Sequence, residues 1–148
     1  VSDDDVHALA AQKLRRINQR YTSGRRVLVD ALAGADRPLT IPEIVEQPGT
    51  LATSSVYRNL ATLEQAGVAS RIVTSGEHAR FELSEQFGEH HHHLVCLDCG
   101  AVSDFTLPPG VERSLDQALR RTARKWGYRT DSHRLDLAGT CPDCQRAS

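Results

Sequence analysis

The chain has 148 residues, 39% of them hydrophobic with ten glycines besides, a globular composition that argues against general disorder. It has no apolar run of the ~18 residues a membrane span needs, and the opening VSDDDVHALAAQKLRR lacks an apolar stretch. Neither a span nor a secretory leader is therefore expected, and the cytoplasm is the expected compartment. Eighteen basic against nineteen acidic residues leave a net charge of -1, so any affinity for nucleic acid has to come from local patches.

Leu9, Leu14 and Ile17, with Lys13, Arg15 and Arg16 between them, predict an amphipathic helix over residues 5–19 with a basic side. Thr22 or Ser23 can cap a second helix whose apolar stripe is Val27, Leu28, Ala31 and Leu32 and which ends near Gly34. Between Lys13 and Asp30 six basic residues face one acid, the strong positive patch of the first half. Thr40 followed three residues later by Glu43 is a capping-box pattern for a short helix that Gln47-Pro48-Gly49 stops. A longer capped helix starts at Thr53 or Ser54, buries Val56, Leu60 and Leu63, and ends before Gly67, with Tyr57 and Arg58 off the buried stripe. Two capped helices joined by a tight turn predict a helix-turn-helix. The runs Val68 to Thr74 and Ala79 to Leu83, joined through Ser75-Gly76, add a hairpin, so the expected unit is a winged helix over residues 1–84.

A hinge over 85–89 is expected next, followed by a β-β-α-β unit over 90–148. Its strands are predicted near His93 to Cys96, Ala101 to Phe105 and His133 to Leu137. Its helix carries Leu115, Ala118, Leu119, Thr122 and Trp126 and ends at Gly127. The fold class is therefore α+β.

All four cysteines lie in this second half as two knuckles, Cys96-Leu-Asp-Cys99 and Cys141-Pro-Asp-Cys144. Two residues between cysteines let one turn present both sulfurs to one ion, so the four thiolates predict a structural zinc site tying the start of the unit to its end. The run His90 to His93 cannot serve one metal, because in an extended chain His90 and His92 point one way and His91 and His93 the other. Two further sites would each start from one alternate pair, with Glu82, Glu112 and His133 as candidate partners. An enzyme is not expected: HExxH, a nucleophilic triad and a phosphate-binding glycine loop are all lacking, and four cysteines leave no open position on zinc. A zinc-storage or zinc-dependent interaction module without DNA binding is the competing class.

Phe81-Glu-Leu, the run from His90 to Gly100, the helix Ser54 to Leu60 and the ending Ser132 to Cys141 together resemble the ferric uptake regulator family. The resemblance implies a dimeric, metal-responsive repressor of metal-uptake genes that binds double-stranded operator DNA, with an N-terminal winged helix and a C-terminal α/β dimerisation domain. It assigns Cys96, Cys99, Cys141 and Cys144 to structural zinc, and Glu82, His91 and His93 to a sensory site for a second divalent ion, Zn2+ or Fe2+. It also assigns His90, His92, Glu112 and His133 to a second site within the dimerisation domain. Tyr57 and Arg58 match the family's recognition pair. Tyr57 would meet a thymine methyl, Arg58 a phosphate or guanine edge, and Ser54, Ser55, Arg20 and Arg25 the backbone. The fourth sensory ligand stays open: no histidine stands near Pro38 and Leu39, and Ser70 and Ser84 hold the places where zinc-type members carry an aspartate and a cysteine.

Overall fold

A computed structural model describes residues 2–73 and 79–148 of the chain. The predicted Ser75-Gly76 turn of the hairpin lies outside the described residues. Helix α1 (Asp3–Arg16) begins two residues before the expected start because Ser2 and Asp5 form a reciprocal capping box. It also stops short of Gln19: Ile17 is the C-cap and Asn18 takes a left-handed φ of 57°, which ends helical hydrogen bonding. Helix α2 (Ser23–Ala33) is capped by Thr22 as expected. A two-residue strand β1 (Leu39–Thr40), which no pattern announced, leads into α3 (Ile41–Val45), where Thr40 and Glu43 form the predicted capping box.

Helix α4 (Thr53–Gln65) buries Val56, Leu60 and Leu63 completely or nearly so. Their transfer from water is worth about 5–9 kcal/mol together, which fixes the face this helix turns inward. It starts at Thr53 as expected, but its N-cap is Ala52 without a side-chain hydrogen bond, so the expectation that this helix is capped is corrected. Those hydroxyls lie past the cap position, and packing rather than capping holds the helix start. Gly67 follows the helix with φ 70°, a conformation glycine adopts without a Cβ penalty.

Strands β2 (Ala69–Ile72) and β3 (Arg80–Leu83) form the wing, and β1 adds to β3, giving the antiparallel order β1-β3-β2. Both wing strands are shorter than predicted. One cluster, with Leu14, Leu28, Val29, Ile44, Leu60, Leu63 and Phe81 at its centre, closes this winged-helix domain. Phe87, in a 3-10 turn over Glu85–Phe87, joins the same cluster, so the segment expected as a hinge is anchored to the first core.

The second unit has β4 (His92–Cys96), β5 (Val102–Phe105), α5 (Pro109–Lys125), β6 (Asp136–Gly139) and a short unpredicted α6 (Pro142–Ala147). Its sheet runs β5-β4-β6, antiparallel between β4 and β5 and parallel between β4 and β6, with α5 as the crossover. The last strand starts later than the expected His133, which leaves that histidine outside the sheet. Its core is small: Val95 and Val102 pack with Ile72 of the wing, so this apolar contact is shared between the two domains. Helix α5 has no buried residue, and Val111, Leu119 and Trp126 along its apolar stripe are exposed, as are Leu94 and Leu137, paired on adjacent strands.

Candidate metal centres and nucleic-acid interface

The knuckle sulfurs converge from three places: Cys96 ends β4, Cys99 sits in the turn before β5, and Cys141 and Cys144 flank the start of α6. Parallel pairing of Cys96 with Gly139 brings the second knuckle beside the first. The Cys99 and Cys141 sulfurs lie 3.8 Å apart. Tetrahedral bonds of roughly 2.3 Å to one ion would separate them by about the same distance. The Cys141 backbone N–H donates to the Cys96 sulfur at 3.3 Å, and this bond, with help from the backbone of Cys99 and Asp98, brings the Cys96 thiol down to about 6. The neighbouring Cys141 thiol pushes Cys144 well above the ordinary range. One readily formed thiolate among crowded thiols suits a dication that replaces their protons.

The expected alternation of the histidine run is what the structure shows. His90 and His92 turn toward α5, where Glu112 meets His92 Nε2 at 2.8 Å through one oxygen and His90 and His133 Nε2 at 3.1 and 3.0 Å through the other. Glu85 holds His90 Nδ1 and Asp116 faces His133 Nδ1, so both rings offer Nε2 inward. The carboxyl of Glu112 is lowered chiefly by His92.

His91 and His93 turn to the other face and meet Glu82 of β3, each Nε2 lying 3.1 Å from one carboxylate oxygen. His91 Nδ1 donates to the Glu89 carbonyl, and His93 Nδ1 is held by Asp136 at 3.0 Å. Asp104 completes this group; the donor atoms of Glu82, His91, His93 and Asp104 all lie within 4.8 Å of one another. Sequence reasoning missed Asp104. The signal was the antiparallel register of β4 and β5, which sets His93 opposite Asp104. Burial opposes charge on both imidazoles, yet Glu82 and their outer partners raise both, while the same contacts draw the Glu82 carboxyl down against its own burial.

The donor chemistry fits divalent metal in both groups. His93 Nε2 and Glu112 Oε1 are buried without a hydrogen bond of acceptable geometry, although charged neighbours stand near. Such orphaned atoms are costly unless a ligand satisfies them. Imidazole and carboxylate suit zinc, iron or manganese alike.

On α4, Tyr57 is 57% exposed and Arg58 stands beside it with its guanidinium near Ser55 Oγ. Ser54 is exposed at the head of α4 and Ser55 half-buried. Arg25 is placed differently from a free phosphate contact: its Nε donates to Asn59 Oδ1, and its other nitrogens bond the Arg20 carbonyl and Gln19 Oε1. It braces α4 against α2 and the turn that carries Arg20. Arg20 is exposed.

The profile of the Ferric uptake regulator family matches residues 16–138. A ferric uptake regulation protein of Legionella pneumophila is 37% identical over 102 residues, 69% of this chain and 70% of that protein. The Escherichia coli ferric uptake regulation protein is 35% identical over 139 residues, 89% of each. Among solved structures, the Helicobacter pylori ferric uptake regulator, described as having three functional metal-binding sites, superposes with TM-score 0.74 at 24% identity over 98% of this chain and 95% of its own. The Vibrio cholerae regulator gives 0.66 at 29% identity over 88% and 98%. The chain therefore belongs to the ferric uptake regulator family of metal-responsive transcription regulators.

Proposed function

We propose that the protein acts in the cytoplasm as a homodimeric repressor of metal-uptake genes, binding operator DNA when Glu82, His91, His93 and Asp104 hold Zn2+ or Fe2+. Cys96, Cys99, Cys141 and Cys144 hold structural zinc, and His90, His92, Glu112 and His133 form a second site that tunes the dimerisation domain. The carrying observation is that Glu82 lies on the wing strand while His91 and His93 lie at the start of the second unit, so the sensory donors come from both sides of the hinge.

A divalent ion supplies the charge that lets these donors approach without protons. The residues do the rest. Glu82 carries the position of the wing, β4 carries that of the dimerisation domain, and holding them together fixes the angle at which α4 is presented. A switch needs a ligand with different affinity for its two states, and donors divided between domains provide that difference. The exposed stripe of α5 with Leu94 and Leu137 supports a second copy as the partner, since an apolar face of this kind is normally covered. Tyr57 and Arg58 on the free face of α4 support major-groove reading, and Arg25 acts by bracing that helix.

Gel retardation of operator duplex with zinc, iron, manganese and nickel tests the reading. Metal-dependent retention is expected, is lost in His91→Ala/His93→Ala with the cysteine-bound zinc kept, and is affected less in His90→Ala/His92→Ala. Retention independent of metal, or the reverse order of the two variants, refutes the hinge mechanism; no retention under any condition returns the zinc-storage reading.

A further inference from the structure

Lys13 is 9% exposed and makes no hydrogen bond or ion pair among the described residues. A Cβ added at Gly67 would lie 3.7 Å from its Nζ, which places the ammonium against the C-terminal end of α4. That end offers partial negative charge, but no carbonyl accepts from it. A buried ammonium without a counterion is unfavourable. The side chain lines a cavity of about 540 Å³ whose other wall includes Glu82, His91 and His93. Glu82 cannot serve as the counterion while both its oxygens face the imidazoles. Ser70 and Ser84, joined through their hydroxyls at 3.2 Å, line the same cavity, as do Arg134, which also donates to the Arg71 carbonyl, and two acids, Asp131 and Glu85, the latter paired with His90.

Resting on the sensory-site reading, we infer that this cavity takes a small oxyanion, a carboxylate or phosphate, bound between the sensory metal position and Lys13. Four donors from the chain would saturate a tetrahedral zinc but would leave room for exogenous oxygen at an ion that takes six ligands, such as Mn2+, and the cavity is many times the roughly 30 Å³ of one water. The anion neutralises Lys13, accepts from Ser70, Ser84 and Arg134, and occupies the open side of the metal. Lys13 and Ser70 belong to the winged helix while His91, His93 and Arg134 belong to the second unit, so the anion is a second clamp across the hinge. Its binding and that of the metal are reciprocally linked.

The test is Mn2+ binding to the zinc-loaded protein, with free Mn2+ read by electron paramagnetic resonance so that complexation by the anion is counted directly. Chloride, inorganic phosphate and succinate are compared at matched ionic strength. An anion at about ten times its own dissociation constant is expected to tighten Mn2+ binding about tenfold, and the effective arm tells phosphate from carboxylate. Lys13→Met keeps the anion-free affinity and loses the enhancement, whereas Lys13→Arg retains it. NMR relaxation of the phosphate phosphorus or succinate carbons by protein-bound Mn2+ checks the same point without a Lys13 variant. No anion effect on the wild type, an enhancement that survives Lys13→Met, or no relaxation beyond that seen with His91→Ala/His93→Ala overturns the inference. Mn2+ affinity unchanged by His91→Ala/His93→Ala overturns the sensory-site reading itself, an outcome separate from the loss of the anion effect alone.

Discussion

Replacing Cys141 by serine removes one of four converging sulfurs, and the structure says how much should be lost. The second unit buries Val95 and Val102 as its own large apolar side chains, worth about 3–6 kcal/mol together, while α5 buries no residue and β6 is exposed throughout. Fixing backbone costs about 1–2 kcal/mol per residue, which the apolar contacts of this unit do not approach. Structural zinc in small peptides contributes roughly 10–16 kcal/mol, so in the proposed reading metal together with dimer contacts carries the fold. Cys141→Ser is expected to lose the cysteine-bound zinc and to become monomeric with an unfolded C-terminal unit. The first core, which draws nothing from β4 to β6, should still melt cooperatively. Metal analysis, light scattering and thermal circular dichroism measure the three effects. A variant that keeps zinc, dimer and melting temperature would refute the argument.

Tyr57→Ala is expected to cost about 1–3 kcal/mol of operator binding and to relax sequence preference, whereas Arg58→Ala, if it meets phosphate, weakens all duplexes alike and lowers the salt slope. Unchanged operator affinity in the double variant excludes α4 as the reader. Acid should loosen the entry to the helix-turn-helix. The Arg37 guanidinium, with the Thr40 backbone and hydroxyl, holds the Glu43 carboxyl down at about 2. A depressed carboxyl contributes stability that is present above its unfolded value and is lost as pH falls through the folded one. The loss therefore falls between about 4.5 and about 2. Part exposure keeps the effect small. Denaturant titrations of the wild type should lose stability across that window more steeply than those of Glu43→Gln; equal slopes would remove Glu43 as the cause.

What could be read from the sequence was what depends on neighbours in the chain. The capping box of Thr40 and Glu43, the stripe of Val56, Leu60 and Leu63, and the opposite facing of alternate histidines follow from helical and strand periods alone. Asp104 could not be found that way, because its place opposite His93 is a property of strand pairing, which no local spacing records. The same holds for the late start of β6, which leaves His133 free to reach Glu112 from outside the sheet. The early end of α1 depends on the left-handed Asn18, and asparagine tolerates that conformation without demanding it. Arg25 read as a phosphate contact because charge is visible in a sequence, whereas its partners Asn59 and Gln19 are brought to it by the packing of α2 on α4.

The placement of donors for all three candidate metal groups on one short strand has a mechanical consequence. His92 and His93 open β4 on opposite faces and Cys96 closes it, so a single rigid element carries donors for every site. Outside the strand, Arg80 at the start of β3 donates to the Gly100 carbonyl in the first knuckle at 2.8 Å and approaches Glu43 of α3 at 3.5 Å. The knuckle is thereby joined to the helix-turn-helix by one half-buried side chain. In the proposed reading β4 is anchored through Cys96 and oriented through Arg80, and His91 and His93, held by their outer partners Glu89 and Asp136, are ready before a sensory ion binds. Donors arranged in advance spend little binding free energy on building the site. In the proposed mechanism most of that free energy is left to hold Glu82, and with it the wing, against β4.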